Sequence, residues 1–164
     1  MTPLGPLALG LISGRTLEYE TTALRLCLLA TFLPDIIDKP MFAIGVSITG
    51  HTVGHSVLTF CGISILLISV SRLRFLIPIL PGYGSHIIAD LIVAYPKFLT
   101  NYFWPVLPQR PTPDDPVIQY WIDYATSITG VIELIPIVVA LWIIFIDGYI
   151  PVTNTTTESS DIES

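Results

Sequence analysis

The chain has 164 residues, of which 52% are hydrophobic and only 12% charged, with a formal net charge of −6 and a mean hydropathy of +0.72. Soluble domains average about a quarter charged residues, so this composition points to an integral membrane protein, and the length to one domain. A pI near 4.7 and the lack of a basic patch argue against nucleic acid as a main partner.

Residues 4–13 are apolar but begin with Pro3, Gly5 and Pro6. This stretch of about ten residues is half the ~20 a spanning helix needs, so it reads as a re-entrant or core helix. It has no basic region before it and no small-residue cleavage site after it, and is not read as a removed signal peptide. Residues 19–33 form a marginal span that carries Arg25 and stops at Pro34. Residues 52–70 predict a clean span closed by Ser71-Arg72-Leu73-Arg74.

The next apolar segment, 75–95, is interrupted by Pro78, Pro81 and the Gly82-Tyr83-Gly84 turn. Proline removes a backbone donor and ends or kinks a helix, so the regular helix is expected from about 84 to 95. Residues 96–116, rich in aromatics and prolines, read as an interfacial loop with rings at headgroup depth. Residues 127–147 are the last span, and the acidic segment 151–164 has the composition of a disordered tail. The expected organisation is a membrane-embedded helical domain over 1–150 followed by that tail. Cys27 and Cys61 stand alone in apolar segments and read as small buried core residues.

Three polar islands interrupt this pattern: Leu33-Pro34-Asp35-Ile36-Ile37-Asp38, His51-Thr52-Val53-Gly54-His55-Ser56 and Ser85-His86-Ile87-Ile88-Ala89-Asp90. They hold all three histidines of the chain. Such groups are expensive to bury in lipid and by default mark function. His and Asp are also the donors that hold zinc, manganese or iron. His86 and Asp90 are four apart on a predicted helix and share one face, about 6 Å apart along the axis. Following the spans, Asp35 and Asp38 leave one helix end, His55 lies in the first turn of the next helix, and Asp90 lies just below the exit of the third. The islands are thus expected to converge at one end of the bundle. Glu133 is the sole charge within the last span, where it either joins the ligand set or is a hydrogen-bonded side chain beside Pro136.

The order of these blocks, Leu33 to Pro40, then Gly50 to Leu58, then Gly82 to Asp90, resembles the signature of the YdjM-type family. Phe103-Trp104-Pro105 is similar to that family's aromatic-proline stretch, and the resemblance covers roughly residues 1–110. The family is described as LexA-binding, inner-membrane-associated and metal-dependent hydrolytic, distantly similar to zinc-dependent phospholipase C and single-strand zinc nucleases. Two departures stand out. Relatives carry a histidine where this chain has Gly5-Pro6-Leu7, and their second block spaces its histidines one residue wider than His51 and His55.

The resulting expectation is an all-α integral membrane bundle of about four spans, in the cell membrane as a multi-pass protein, distantly similar to the helical phospholipase C-like fold. The expected metal ligands are Asp35, Asp38, His51, His55, His86 and Asp90, with Asp35, His55 and Asp90 in catalytic roles. The expected cofactor is a divalent metal, zinc or else manganese, that activates water for hydrolysis of a phosphoester, a small molecule or one borne on a membrane lipid. The alternatives are a non-catalytic protein with a structural or ion-passing His/Asp site, and a membrane adaptor for a soluble regulator.

Overall fold

The computed structural model describes residues 2–94, 98–111 and 117–149. All regular elements among them are helical: α1 (Leu4–Thr16), α2 (Thr21–Ala30), α3 (Leu33–Ala43), α4 (Val57–Ser69), α5 (Ile79–Ala94), α6 (Val117–Ala125) and α7 (Ile128–Tyr149). Two 3₁₀ segments, Ser71–Leu76 and Leu99–Phe103, follow α4 and α5. The all-α expectation holds. The acidic tail lies outside the described residues.

Of the four expected spans, one is supported. Among the described residues only Ile128–Asp147 of α7, 20 residues, is long and apolar enough to cross a membrane. The segment expected to span at 52–70 yields a helix of 13 residues, about 20 Å at 1.5 Å per residue, against a hydrocarbon core of about 30 Å. Residues 51–56 stay outside it as a loop. Ser56 explains the boundary: its hydroxyl accepts from the N–H groups of Leu58 and Thr59 at 3.2 and 3.4 Å and caps the helix. His55 therefore lies just before α4 and not in its first turn.

Prolines also start helices here where the sequence suggested stops. Pro34 is in the first turn of α3 and Pro81 in that of α5, positions whose N–H has no intrahelical acceptor. α5 consequently begins at Ile79, earlier than expected, and Asp35 and Asp38 lie on a helix of their own, α3.

Helices α1, α2 and α5 pack closely because small residues line their contacts. An added Cβ on Gly82 would come within 1.8 Å of the Cys27 carbonyl oxygen, so glycine alone permits this approach of α5 to α2. Around Ala30, Tyr83, Ile87 and Tyr102 a small core forms, flanked by Leu33, Val57, Phe60 and Leu91. It adjoins the polar islands, with the Tyr83 hydroxyl bonded to the Gly54 carbonyl and the Tyr102 ring beside His51 and His55.

α1 and α7 run parallel and are tied near both ends. The Glu133 Oε1 atom accepts the Gly5 N–H at 2.9 Å and the Thr2 hydroxyl. At the other end Arg15 pairs with Asp147 at 2.6 Å. The first N–H groups of a helix lack internal partners. In α1 two of those positions are Pro3 and Pro6, which have no N–H, and Glu133 takes the one at Gly5. The sole charge inside the apolar stretch of α7 is thus a buried cap on another helix, the hydrogen-bonded alternative of the two weighed for it.

Elsewhere the outward faces are aliphatic. Ile65, Leu66 and Ile68 of α4 and Ile135, Val138, Leu141 and Trp142 of α7 are exposed. Contiguous apolar surface on this scale fits contact with lipid.

Candidate metal centre

The three islands converge. α3 brings Asp35 and Asp38, the loop before α4 brings His51 and His55, and α5 brings His86 and Asp90. His55 is fully buried, and His86 and Asp90 nearly so. The His55 Nε2 atom lies 3.3 Å from His86 Nε2 and 3.3 Å from Asp90 Oδ2, and the third side of this triangle, His86 Nε2 to Asp90 Oδ2, is 3.2 Å. Donors about 2.0–2.1 Å from one tetrahedral ion stand about 3.3 Å from each other. The triangle therefore has the dimensions of one face of a tetrahedral site.

Two further side chains approach it. Asp35 Oδ1 is 3.5 Å from His55 Nε2 and 3.9 Å from His86 Nε2, and its side chain remains 35% exposed, the most open of the acidic donors. His51 Nε2 is 3.6 Å from Asp90 Oδ2, with its ring edge-on to His55 at 4.4 Å between centroids. Two groups with geometry that can hold an ion result, Asp35-His55-His86 and His51-His55-Asp90, sharing His55.

Both buried imidazoles have their second nitrogen engaged. His86 Nδ1 lies 2.5 Å from the Thr31 carbonyl oxygen, and His55 Nδ1 lies 2.8 Å from Asp38 Oδ2. Each partner only accepts, so each Nδ1 carries the hydrogen and each Nε2 faces the centre. An imidazole ligand held through its other N–H is the usual arrangement around protein-bound metals.

Asp38, expected among the ligands, belongs to neither group. Its Oδ2 accepts the Thr52 N–H at 2.6 Å, the His55 N–H at 3.1 Å and the His55 ring, while its Oδ1 accepts the Thr52 hydroxyl at 2.7 Å and the Gly54 N–H at 2.9 Å. A carboxylate has about four lone-pair sites. Five donors occupy both oxygens, and none is left for an ion.

Electrostatics follow this geometry. Burial disfavours the His55 imidazolium, but the carboxylates of Asp35, Asp38 and Asp90 outweigh it and push the pKa up to about 10. Burial likewise opposes ionisation of Asp35, yet the His55 hydrogen bond and the charges of Lys39, His86 and His55 pull it down to about 2. For Asp38 the donors from His55, Gly54 and Thr52 overcome burial and hold it well below the ordinary carboxylate range. His51 moves the other way: burial, against a partly compensating Asp90, holds it below its usual value. The centre is a negative pocket that stabilises positive charge at His55 Nε2, as a cation site requires.

A roof closes over these rings. Tyr102, buried on the second 3₁₀ segment, has its ring 5.8 Å from His51 and 6.1 Å from His55. Asn101 fixes that segment, donating to Thr49 Oγ1 at 3.2 Å and to the Arg110 carbonyl at 3.0 Å, and accepting the Arg110 N–H. Below, the Tyr83 hydroxyl donates to the Gly54 carbonyl at 2.6 Å. The supporting roles of Thr31, Thr52, Tyr83 and Asn101 escaped the sequence reading. Thr31 acts through its main chain, which leaves no side-chain signal, whereas Thr52 stands inside an island and invited attention.

The sequence of this chain matches, over residues 1–151, the model of a family described as YdjM inner membrane protein. No curated protein and no solved structure gives a match.

Proposed function

Because the chain belongs to the YdjM inner membrane protein family, we propose that it is a membrane-held, metal-dependent hydrolase acting on a phosphoester. The observation that carries this reading is the triangle of His55 Nε2, His86 Nε2 and Asp90 Oδ2, with sides of 3.2–3.3 Å and a second carboxylate, Asp35, on its open side. Mixed imidazole and carboxylate donors suit zinc first and manganese second.

In this reading His55, His86 and Asp90 would hold the ion, Asp35 stands at the open side of their triangle, and His51 stands beside Asp90 as a further donor. When bound, a divalent ion supplies Lewis acidity and lowers the pKa of water. Asp35, ionised and accessible, is the group placed to accept a proton from an attacking water. Its neighbour Lys39, with Nζ 3.5 Å from Asp35 Oδ1, supplies positive charge at the same opening for an anionic phosphoryl group.

A lipid-borne substrate is favoured by the apolar residues that flank the donors in the chain. Ile36, next to Asp35, and Ile44, Val46 and Ile48, leading to His51, are all largely exposed. Aliphatic side chains beside a polar opening fit an apolar phase better than water.

The test uses the full chain purified in detergent. Metal content is measured first, then hydrolysis of a soluble aryl phosphoester and of phospholipid vesicles, before and after chelation and zinc or manganese re-addition. Activity that falls with chelation and returns with metal supports the reading, and preference for vesicles supports the lipid substrate. Metal-loaded protein that cleaves neither would leave a structural metal site as the better description.

A further inference from the structure

From the five hydrogen bonds at Asp38 we infer that this residue is a positioning residue for the centre: it fixes His55 as the Nδ1–H tautomer and clamps the loop that carries it. The inference rests on the metal-centre reading above. Asp38 is fully buried at the middle of α3, with no exposed surface through which to interact with solvent. Every one of its recorded donors lies in the four-residue segment Thr52 to His55. The one backbone bond recorded within this stretch is the turn bond from the Ser56 N–H to the Val53 carbonyl at 3.3 Å, so the carboxylate supplies most of the hydrogen bonds that hold it.

The two effects act on the same atom. The ring bond from Nδ1 leaves only Nε2 to face His86 and Asp90. The main-chain bonds from Gly54 and His55 fix where that ring begins. Gly54 makes the approach possible, since an added Cβ would meet the Pro34 carbonyl oxygen at 2.6 Å. α3 and the loop are thus in direct backbone contact beside the carboxylate. A formal negative charge on the far side of the imidazole also raises the basicity of Nε2, and removal of such partners typically weakens metal binding about 10–100-fold.

The test compares the wild-type chain, Asp38→Asn and Thr52→Val, each in detergent and titrated with cobalt(II) and zinc(II). Asp38→Asn keeps the shape but puts an NH2 group where three donors point, at Oδ2, or two, at Oδ1. It should weaken zinc binding about 10–100-fold while leaving the cobalt visible spectrum unchanged in shape, because no ligand is lost. Thr52→Val removes one hydroxyl donor yet keeps the ring bond, and should lower thermal stability with little change in affinity. In the zinc-loaded wild type, ring 15N shifts should show His55 protonated at Nδ1 and coordinated through Nε2, a readout that does not depend on any variant folding.

Unchanged affinity in a folded Asp38→Asn, an equal loss of affinity in Thr52→Val, a cobalt spectrum reporting one fewer oxygen donor, or coordination through His55 Nδ1 would each overturn the inference. A wild-type chain that takes up neither metal would overturn the underlying metal reading as well.

Discussion

His86 donates its Nδ1 hydrogen to the main-chain carbonyl of Thr31, a residue 55 positions earlier in the two-residue break between α2 and α3. The break is therefore part of the centre. A carbonyl freed from the end of one helix orients the donor on another, and the next helix begins at once with Pro34 and Asp35.

His86→Ala and Asp90→Ala should each abolish one corner of the donor triangle. The expected loss of zinc affinity exceeds the roughly 10–100-fold typical of supporting residues. Both variants should remain folded, since α5 is held mainly by its packing along α1 and α2. Zinc titration with a parallel circular-dichroism melt checks this, and a variant that unfolds while wild type keeps its metal would point to a structural ion.

The protonation of His55 gives a pH prediction. Its folded pKa of about 10 exceeds the ordinary 6.5, so its stabilisation of the metal-free chain is full below about 6.5 and lost as pH rises through about 10. Asp35, lowered to about 2 from 3.8, contributes above about 3.8 and loses its contribution as pH falls through about 2. Metal-free stability should therefore be greatest between about pH 4 and 6.5. An ion must displace the His55 proton, so zinc affinity should rise with pH by about tenfold per unit through this range up to about 10. Affinity that is flat between pH 6 and 9 would contradict this electrostatic picture.

Glu133→Ala tests the tie between α7 and α1. Leaving the buried Gly5 N–H without its acceptor should cost about 1–3 kcal/mol. Zinc affinity should not change, because no recorded contact joins Glu133 to the donors. A fall in affinity matching that of Asp90→Ala would instead place Glu133 in the centre.

Gly82→Ala tests the contact of α5 with α2. Its methyl group would overlap the Cys27 carbonyl oxygen at 1.8 Å, a backbone clash that no side-chain rotation relieves. Overpacking of this kind costs about 1–3 kcal/mol or more. The shift of α5 would also carry His86 away from Thr31. Stability and metal affinity should fall together, and a stable variant with normal affinity would show that the helices separate without moving the donors.

The convergence of Asp35, His51, His55, His86 and Asp90 was legible in the sequence because polar groups this costly to leave in apolar surroundings gather with one another, although Asp35 lies inside α3 and His55 before α4, not at the span ends expected. The roles of individual carboxylates were less legible. Asp38 and Asp35 share a residue type and a motif, and only the count of hydrogen donors around each separates an ion-facing oxygen from one already taken. Span length was misread for a related reason. Hydropathy ignores the Ser56 cap and the 3₁₀ segment at Ser71–Leu76, which cut a continuous apolar run to 13 helical residues. Glu133 was visible as an anomaly, but its partner is a main-chain N–H, and main-chain donors have no signature in a sequence.

The distance in the chain between Gly5 and Glu133, 128 residues, sets an order of events during synthesis. Every donor of the centre, from Asp35 to Asp90, has left the ribosome before Glu133 is made. α1 then waits for the acceptor of its Gly5 N–H until the last helix arrives. The chemistry is delivered early and the latch late, so a chain interrupted before α7 would carry a full set of donors, with α1, α2 and α5, but without the tie that Glu133 makes to the start of α1.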